Sequence, residues 1–301
     1  MDAIEVEDLS KSFDGLKAVD RVSFNVPKGV IFGFLGPNGA GKTTTVRMLT
    51  GVIKPDSGVV IVMGHDIVQE TQKAKEVIGV VPETANAYLD LTAWRNMMLI
   101  ASLYGIPRRE AERRARTQLK EFGLYERRNS KVKVFSKGMQ QRLMLAMALV
   151  SDSEVLFLDE PTSGLDVQSA RRIRQKIMEI RDEGRTVFLT SHNMQEVSVL
   201  CERVGILKNG KMVTVDSPEN LRHRIGGSLT VEFCFGQTVS SVPLNAERVG
   251  DKFRIYTAKP HDTICSIVEF AAHNQLNIET LNVQSPSLED VFVKLTGGSH
   301  E

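Results

Sequence analysis

The chain has 301 residues, of which 42% are hydrophobic and 25% are charged, proportions that are ordinary for a globular protein of roughly two domains. Its 38 basic and 37 acidic residues leave a net charge of +1, which gives no overall electrostatic basis for binding nucleic acid. No apolar run approaches the roughly 18 to 20 residues of a membrane span, and no basic segment followed by an apolar one opens the chain, so we expect it to stay in the cytosol.

Two segments of alternating polarity come first, at residues 4–13 and 18–26, with Asp14 and Gly15 between them. Alternation on both sides of a D-G turn predicts an antiparallel β unit. Phe13 stands at a strand end beside this turn, where its ring either packs in the small sheet or stacks on a nucleobase. We favour stacking, because the next segment of the chain is typical of a phosphate-binding loop.

A glycine-rich loop follows at residues 36–42, between a predicted buried strand at 30–35 and a predicted helix at 43–50. Its sequence fits the pattern G-x-x-x-x-G-K-T, in which glycines let successive backbone N–H groups converge on phosphate oxygens. Lys42 is expected to reach the β- and γ-phosphates, and the Thr43 hydroxyl is placed to bind Mg²⁺. The helix N-terminus adds a positive dipole end, so the segment predicts a site for a nucleoside polyphosphate.

The sequence pattern changes after the predicted helix that follows the glycine-rich loop. Short apolar strands are predicted at residues 59–64 and 77–81, and Pro82 and Glu83 close the second. Helices are then predicted at residues 91–104, 108–122 and from Ser136, whose side chain is a plausible N-cap. These helices indicate an insertion outside the sheet, at about residues 84–150.

A second specific signal is the segment V-L-F-L-D-E. Its apolar strand at residues 155–158 delivers Asp159 and Glu160 at the carboxyl end, where the first can hold Mg²⁺ and the second can orient or deprotonate water. A helix at 167–182 and a strand at 186–190 follow, with His192 just beyond. Strands alternating with helices predict a mainly parallel sheet, in which ligands bind at the carboxyl edge, so Lys42, Asp159, Glu160 and His192 should meet there.

The pattern changes again beyond residue 221, and Gly226 and Gly227 mark a predicted hinge. We expect a small α+β domain at 222–301, with no constellation of ligands, that regulates, dimerises or braces the rest. Strands are predicted at 229–235, 252–258 and 276–283, and helices at 262–274 and 287–295. Three cysteines without metal-ligand spacing are expected to be buried thiols, namely Cys201, Cys234 and Cys265.

The order of the motifs resembles the ATP-binding subunit of an ABC transporter over residues 4–216. The motifs are the phosphate loop, S-K-G-M-Q at 136–140, L-D-E-P at 158–161, S-G-L-D at 163–166 and T-S-H at 190–192. The ending P-S-L-E-D-V-F-V-K-L-T-G at 286–297 is similar to that of daunorubicin-resistance ATPases, which pair with ABC-2-type permeases.

The resemblance implies a P-loop NTPase fold of the α/β class, with a mainly parallel core sheet, an antiparallel β subdomain and a helical insertion. The ATP-binding cassette would occupy residues 1–221, followed by the small α+β domain at 222–301. It also implies an ATPase that dimerises on ATP and powers export through separate permease subunits at the cytoplasmic face of the membrane. Resemblance to the drug-resistance subgroup implies multidrug export. The second ATPase subunit would be identical or different, and no nucleic acid is expected as a partner.

Individual roles carry over from the family to the matching positions. Phe13 would stack on adenine, and His192 would contact the γ-phosphate as a catalytic residue beside Glu160 and Lys42. The phosphates would be cradled by Gly36, Pro37, Asn38, Gly39, Ala40, Gly41, Lys42, Thr43 and Thr44. Mg²⁺ would be held by Thr43, Glu83 and Asp159.

Two further motifs would act between subunits. The signature residues would complete the partner's ATP site, and the S-G-L-D residues would lie at the dimer interface. The signature consists of Ser136, Lys137, Gly138, Met139 and Gln140. The interface set consists of Ser163, Gly164, Leu165 and Asp166.

Two positions depart from the family pattern. Lys137 replaces the first glycine of the usual L-S-G-G-Q, although Ser136 and Gly138 are kept, so we expect the signature to function. Glu83 stands where the family usually has a neutral glutamine, and its carboxylate can still bind Mg²⁺ while it adds negative charge near the γ-phosphate.

The start of the helical insertion, at residues 84–104, carries apolar residues that we expect to be exposed. These either pack within the insertion or form a groove for a permease helix. They are Tyr88, Leu91, Trp94 and Met97. We favour the groove.

Two other functions remain open from the residues. A soluble ABC ATPase that regulates ribosomes or DNA is the alternative, but such proteins usually carry two cassettes or a long coiled coil, and this chain shows one cassette and no sustained heptads. A plain P-loop GTPase or kinase is the other, but the chain lacks an N-K-x-D guanine-reading pattern, and that function leaves S-K-G-M-Q and S-G-L-D without a role.

Overall fold

The computed structural model describes residues 2–83, 87–224, 229–237, 239, 242, 245–284 and 287–296. Contacts within the chain divide it into two compact units, Met1–Val215 and Asp216–Glu301. The predicted hinge at Gly226 and Gly227 lies outside the described residues. No helix within the described ranges is long and apolar enough to cross a membrane.

The first unit contains two sheets and the helices that connect and extend them. Its strands are β1 Asp2–Phe13, β2 Leu16–Pro27, β3 Ile31–Leu35, β4 Ser57–Val62, β5 His65–Asp66, β6 Ile78–Val81, β7 Val155–Asp159, β8 Thr186–Ser191, β9 Arg203–Lys208 and β10 Lys211–Asp216. Its helices are α1 Lys42–Leu49, α2 Thr71–Glu76, α3 Ala93–Leu103, α4 Arg108–Glu121, α5 Lys137–Leu149, α6 Val167–Asp182 and α7 Met194–Leu200.

The smaller sheet confirms the predicted antiparallel β unit. Its strand order is β2-β1-β4-β5, and β1 pairs antiparallel with both β2 and β4. Asp14 and Gly15 form the turn between β1 and β2 with φ of 48° and 81°, a left-handed conformation that aspartate and glycine tolerate well. In the second half of β2, Val22, Phe24 and Val26 are buried while Ser23 and Asn25 are exposed, which is the pattern of a sheet with one covered face.

The larger sheet has the order β10-β9-β3-β8-β7-β6, and the pairs β3–β9, β3–β8, β8–β7 and β7–β6 are all parallel. Every residue of β3, β7 and β8 is buried, as expected for central strands of a parallel sheet covered on both faces. Phe188 lies at the centre of the core, with its ring 5.4 Å from those of Phe32, Phe34 and Phe157. The mainly parallel α/β core is therefore confirmed.

The helical insertion consists of α3, α4 and the start of α5. Hydroxyl caps begin two of these helices, since Thr92 Oγ1 accepts from Arg95 N at 3.2 Å and Ser136 Oγ accepts from Met139 N at 3.3 Å. The predicted N-cap at Ser136 is confirmed. Helices α2 and α7 went unpredicted because six and seven residues give too few turns for a 3.6-residue pattern to show.

The second unit has α+β architecture, and it begins at Asp216, whereas the sequence pattern placed the boundary at residue 222. Its elements are α8 Pro218–Arg224, β11 Leu229–Phe235, β12 Glu247–Val249, β13 Lys252–Thr257, α9 Pro260–His273, β14 Ile278–Gln284 and α10 Leu288–Thr296. The sheet order is β12-β13-β11-β14, with antiparallel pairs throughout. Helix α9 packs on this sheet over a core that includes Phe233, Phe253 and Ile267. Helix α8 packs with α10, which explains why it belongs to this unit.

The cysteines correct one sequence expectation. Cys201 and Cys234 are buried thiols, but Cys265 is exposed. It lies on α9, one turn after His261, on the side of that helix that faces away from the core residues Ile267 and Ala271. The prediction of a buried thiol at Cys265 was therefore wrong, because its apolar neighbours in sequence do not share its face of the helix.

Candidate nucleotide-binding site

The glycine-rich loop begins at the end of β3 and leads directly into α1. Gly41 has φ of 104°, and a Cβ atom there would lie 2.4 Å from the carbonyl oxygen of Ala18. A Cβ atom at Gly36 would lie 2.6 Å from the carbonyl oxygen of Leu207. Both contacts are closer than real side chains allow, so the tight path of the loop backbone requires glycine at these two positions.

Lys42 folds back over the loop that precedes it. Its side chain is buried, and Nζ donates to the carbonyl oxygens of Gly36 at 2.6 Å and Pro37 at 3.2 Å. Burial lowers the pKa of the ammonium group, and the negative charges of Glu160 and Asp159 act in the opposite direction. A cation held in this way at the mouth of a loop rich in backbone N–H groups favours a polyphosphate ligand.

A pocket of about 310 Å³ opens over the loop. It brings together the loop, the start of α1 and side chains from three strand ends, which are the positions that the sequence placed at the carboxyl edge of the sheet. The pocket is lined by Ala18, Asn38, Gly39, Gly41, Lys42, Thr43, Thr44, Glu83, Asp159, Glu160 and His192.

Asp159 and Glu160 are held at the end of β7 by one buried threonine. Thr190 Oγ1 donates a hydrogen bond to Asp159 Oδ1. The backbone N–H of Glu160 lies 3.2 Å from the carbonyl oxygen of Thr190 and 3.1 Å from its hydroxyl oxygen. Thr190 on the neighbouring strand therefore holds the carboxylate of Asp159 and the backbone of Glu160 at the edge of the pocket.

Glu160 adopts an unusual backbone conformation. Its φ is 50°, in the left-handed region, which costs a residue with a Cβ atom about 1–2 kcal/mol. Its Oε2 lies 2.9 Å from Nδ1 of His192, and the Glu160 side chain is only 11% exposed, whereas that of His192 is 61% exposed. The strained turn directs a mostly buried carboxylate at an accessible imidazole inside the pocket.

The residues present fit a hard divalent cation such as Mg²⁺. Thr43, Glu83 and Asp159 line the same pocket and offer one hydroxyl and two carboxylates. No group of three or more His, Cys, Asp or Glu side chains within the described ranges forms a complete metal cage. Mg²⁺ is usually bound by one or two carboxylates together with substrate phosphates, so the donor set agrees with a metal that arrives with a nucleotide.

Three loop residues shape the pocket from behind and do not line it. Gly36 and Pro37 supply the carbonyl oxygens that hold Lys42, and Ala40 is buried, with its N–H donating to Pro37 O at 3.1 Å.

Phe13 is also absent from the lining; its ring is 48% exposed, and Lys11 Nζ lies 5.6 Å from the ring centroid. The exposed ring does not pack in the hydrophobic core, and its stacking on adenine stays a prediction.

The signature residues 136–140 and the interface residues 163–166 lie together, but outside the pocket lining. A Cβ atom at Gly164 would lie 2.2 Å from Lys137 Nζ, and one at Gly138 would lie 2.5 Å from Ser169 Oγ. Asp166 caps α6, accepting from Ser169 N at 2.9 Å. The two motifs thus form one surface around the N-termini of α5 and α6, separate from the pocket of the same chain.

The residues predicted for a permease groove differ in exposure. Tyr88 is 56% exposed, and Leu91 and Trp94 are half-buried, but Met97 is fully buried. The expectation for Met97 was therefore wrong, since it faces the inside of the insertion and cannot contact a partner. Residues 84–86 of the predicted segment lie outside the described residues.

Several polar residues at the site were not predicted as functional. Thr162, Thr190 and Ser191 bind the carboxylates of the region, and Glu196 is buried beneath them. The first three stand inside or beside recognised motifs, which is a usable signal. Glu196 lies in the unpredicted helix α7, outside the recognised motifs, so no sequence signal pointed to it.

Comparison with known proteins gives a family match and similar proteins that agree with one another. Residues 19–163 match the protein family described as ABC transporter. The chain is 36% identical to a linearmycin resistance ATP-binding protein of Bacillus subtilis (strain 168), covering 98% of each protein. It is 32% identical to a daunorubicin/doxorubicin resistance ATP-binding protein of Streptomyces peucetius, covering 98% of this chain and 92% of the relative.

A solved structure extends the comparison. It is a dimeric, post-hydrolysis state of an ATP-binding cassette bound to ADP and Pi, with 25% identity and a TM-score of 0.65. The match covers 71% of this chain and 98% of the other.

Proposed function

Since the chain belongs to the ABC transporter family of ATP-binding proteins and hydrolyses ATP as that family does, we propose that it powers export through separate membrane permease subunits of the ABC-2 type. One observation carries the proposal: Lys42, Asp159, Glu160 and His192 converge on a single pocket above the phosphate loop. The resistance proteins among the relatives favour a toxic or antibiotic-like small molecule as the transported substrate.

In this proposal ATP lies with its phosphates on the loop. The N–H groups of the loop and of the start of α1 bind the phosphate oxygens, and Lys42 turns from the loop carbonyls to the β- and γ-phosphates. Thr43, Glu83 and Asp159 hold Mg²⁺, which supplies charge neutralisation of the phosphates when bound. The exposed ring of Phe13 stacks on adenine.

Hydrolysis depends on Glu160. Its carboxylate orients the attacking water and accepts a proton from it, as a general base placed beside the γ-phosphate. His192, 2.9 Å from that carboxylate, holds it in place and contacts the γ-phosphate. The left-handed backbone at Glu160 aims the carboxylate before the substrate arrives, so little reorganisation is needed at the moment of reaction.

The pocket is completed by a second ATPase subunit, which we take to be another copy of this chain. Residues 136–140 and 163–166 form a polar surface outside the pocket, with the N-terminus of α5 and the Ser136 hydroxyl exposed on it. A helix N-terminus is a natural anion site, and the chain already has one for its own phosphates. ATP therefore joins two chains head to tail, with the signature of each on the nucleotide of the other, as the dimeric relative allows.

The permease contact follows from an apolar groove in the first unit. The groove has a volume of about 800 Å³ and lies between α1, α2, β6 and the end of α3. Val52 and Leu103 on its walls are 65% and 72% exposed, and Tyr104 is 41% exposed. A groove of this size with exposed apolar walls fits an amphipathic helix, and a cytoplasmic helix of the permease is the occupant that an exporter subunit requires.

Affinity purification from native membranes tests this function. A polytopic membrane protein should co-purify with the tagged chain after gentle solubilisation, whereas recovery with ribosomal or nucleic-acid-bound proteins would contradict transport. The variants Val52→Glu and Leu103→Glu should lose the membrane protein and keep ATPase activity. Val268→Glu, a matched change at a 48% exposed valine of the second unit, should keep both.

A further inference from the structure

Glu196 is a buried carboxylate below the pocket. It is 3% exposed and lies in the first turn of α7. Both of its carboxylate oxygens lie 2.8 Å from Thr162 Oγ1, which donates to them, and Ser191 Oγ donates to Oε2 at 3.3 Å. Asn193 caps the same turn by accepting from Glu196 N at 3.1 Å. The carboxylate thus fastens two separate stretches of chain.

These two stretches carry the residues assigned to hydrolysis. Thr162 is the second residue after Glu160, and Ser191 directly precedes His192. Glu160 and His192 pair with each other at 2.9 Å. Because Glu160 has φ of 50°, its turn keeps its shape only if the residues around it hold it there. Glu196 provides such a hold on the far side of the turn.

The packing of α7 does not account for a carboxylate at this position. Val197 and Leu200 are the buried apolar residues that anchor the helix, and a Cβ atom at Gly33 of β3 would touch Val197 Cγ1 at 2.7 Å. Burial, the largest cause, raises the pKa of the Glu196 carboxyl, and the hydrogen bond from Thr162 opposes this rise. A buried carboxyl costs folding free energy unless it is hydrogen-bonded, so packing alone would favour an apolar side chain.

We propose that Glu196 is a positioning residue for ATP hydrolysis, which through Thr162 and Ser191 sets the placement of Glu160 relative to His192. It touches neither nucleotide nor water. The inference rests on the hydrolytic roles proposed above for Glu160 and His192. It adds that Glu196 joins the turn after Glu160 to the end of β8, in addition to the hydrogen bonds between Thr190 and Glu160.

The test separates turnover from nucleotide binding. Glu196→Ala should lower kcat about 10-fold or more, because small displacements of catalytic groups are costly, while the Kd for a fluorescent ATP analogue changes less than about twofold. Glu196→Gln should recover most of kcat, since its amide oxygen still accepts from Thr162. Thr162→Val should lower kcat as Glu196→Ala does, and it keeps the test open if Glu196→Ala fails to fold.

A double variant and a control complete the design. Glu196→Ala combined with Thr162→Val should be no slower than the slower single variant, because the two changes break one interaction. Glu202→Ala is the matched control: this carboxylate accepts from Ile31 N at 2.6 Å, at the start of β3 and so at the opposite end of that strand from the loop, and its loss should leave kcat unchanged.

Unchanged kcat in Glu196→Ala and Thr162→Val, or additive losses in the double variant, would overturn the inference. Glu160→Gln measured beside them distinguishes this from failure of the proposed hydrolytic roles. If Glu160→Gln is inactive and Glu196→Ala is fully active, only the positioning role fails. If Glu160→Gln turns over normally, the roles on which it rests fail as well.

Discussion

The two ends of the core parallel sheet hold their charged side chains in different ways. At the amino end, Arg185 before β8 pairs with Asp152 at 2.7 Å and with Glu183 at 3.7 Å. At the carboxyl end, Lys42 binds backbone carbonyl oxygens and Asp159 accepts from a threonine hydroxyl. Opposite charges pair directly at the amino end, whereas neutral groups make the hydrogen bonds of Lys42 and Asp159 at the carboxyl end.

The difference shows at which end of the sheet functional side chains lower the stability of the fold. Exposed ion pairs contribute little free energy but leave no unbalanced charge. At the carboxyl end, a buried ammonium group with a lowered pKa and a carboxylate on a left-handed residue are both costly arrangements. The proposed complex of ATP with Mg²⁺ would balance those charges. Variants at the two ends should therefore fail in different measurements.

Glu160→Gln should give the largest effect. Loss of the general base should lower kcat about 10²- to 10³-fold, because the amide cannot accept a proton from water. ATP should still bind, and ATP-bound dimer should accumulate and be visible by light scattering. Near-normal turnover would show that the strained carboxylate is not the base.

Lys42→Ala should come next. Removing a buried ammonium group that we propose contacts the phosphates should weaken ATP binding about 100-fold, measured by titration with a fluorescent analogue. The free energy of unfolding without nucleotide should change much less, because Lys42 donates its hydrogen bonds to two carbonyl oxygens of its own loop. Equal losses in stability and binding would instead make Lys42 a structural residue, like those of the amino end.

Glu83→Gln should have a small effect on turnover. Glu83 is exposed, lines the pocket and stands where the family usually has glutamine, so the neutral side chain should keep kcat within about threefold. A steady-state ATPase assay over a Mg²⁺ titration measures this. Complete loss of activity would show that the carboxylate is an essential ligand.

Arg185→Ala should have no effect on ATPase activity. It should lower the free energy of unfolding by about 1 kcal/mol, as measured in urea, since it removes partly exposed ion pairs at the amino end of β8. A clear fall in kcat with unchanged ATP affinity would erase the distinction between the two ends.

The sequence was most informative where pattern and chemistry coincide. Helix α6 was predicted at 167–182 and found at Val167–Asp182, because an aspartate cap and a 3.6-residue apolar repeat mark it. The meeting of Lys42, Asp159 and His192 followed from the predicted parallel sheet, since parallel strands share a carboxyl edge.

Other features depend on contacts that no local pattern encodes. Thr190 holds Asp159 and Glu160 from a neighbouring strand, and Glu196 reaches Thr162 across 34 positions of sequence. Met97 was expected on a surface but is buried. The sequence pattern is the same for an apolar helix residue that contacts a partner and for one that packs inside its own insertion. Only the folded chain separates these cases.

Completion of the site by a second copy is the central claim, and mixing two inactive variants tests it most directly. Lys42→Ala removes a residue of the chain's own pocket, and Ser136→Glu places a negative charge on the surface proposed to face the partner's γ-phosphate. Each variant alone should be almost inactive. In an equal mixture, half of the dimers contain one chain of each variant, and each of these dimers has one intact site out of two. Roughly a quarter of wild-type ATPase activity should therefore return. A mixture as inactive as its components would contradict an ATP site shared between two copies of this chain.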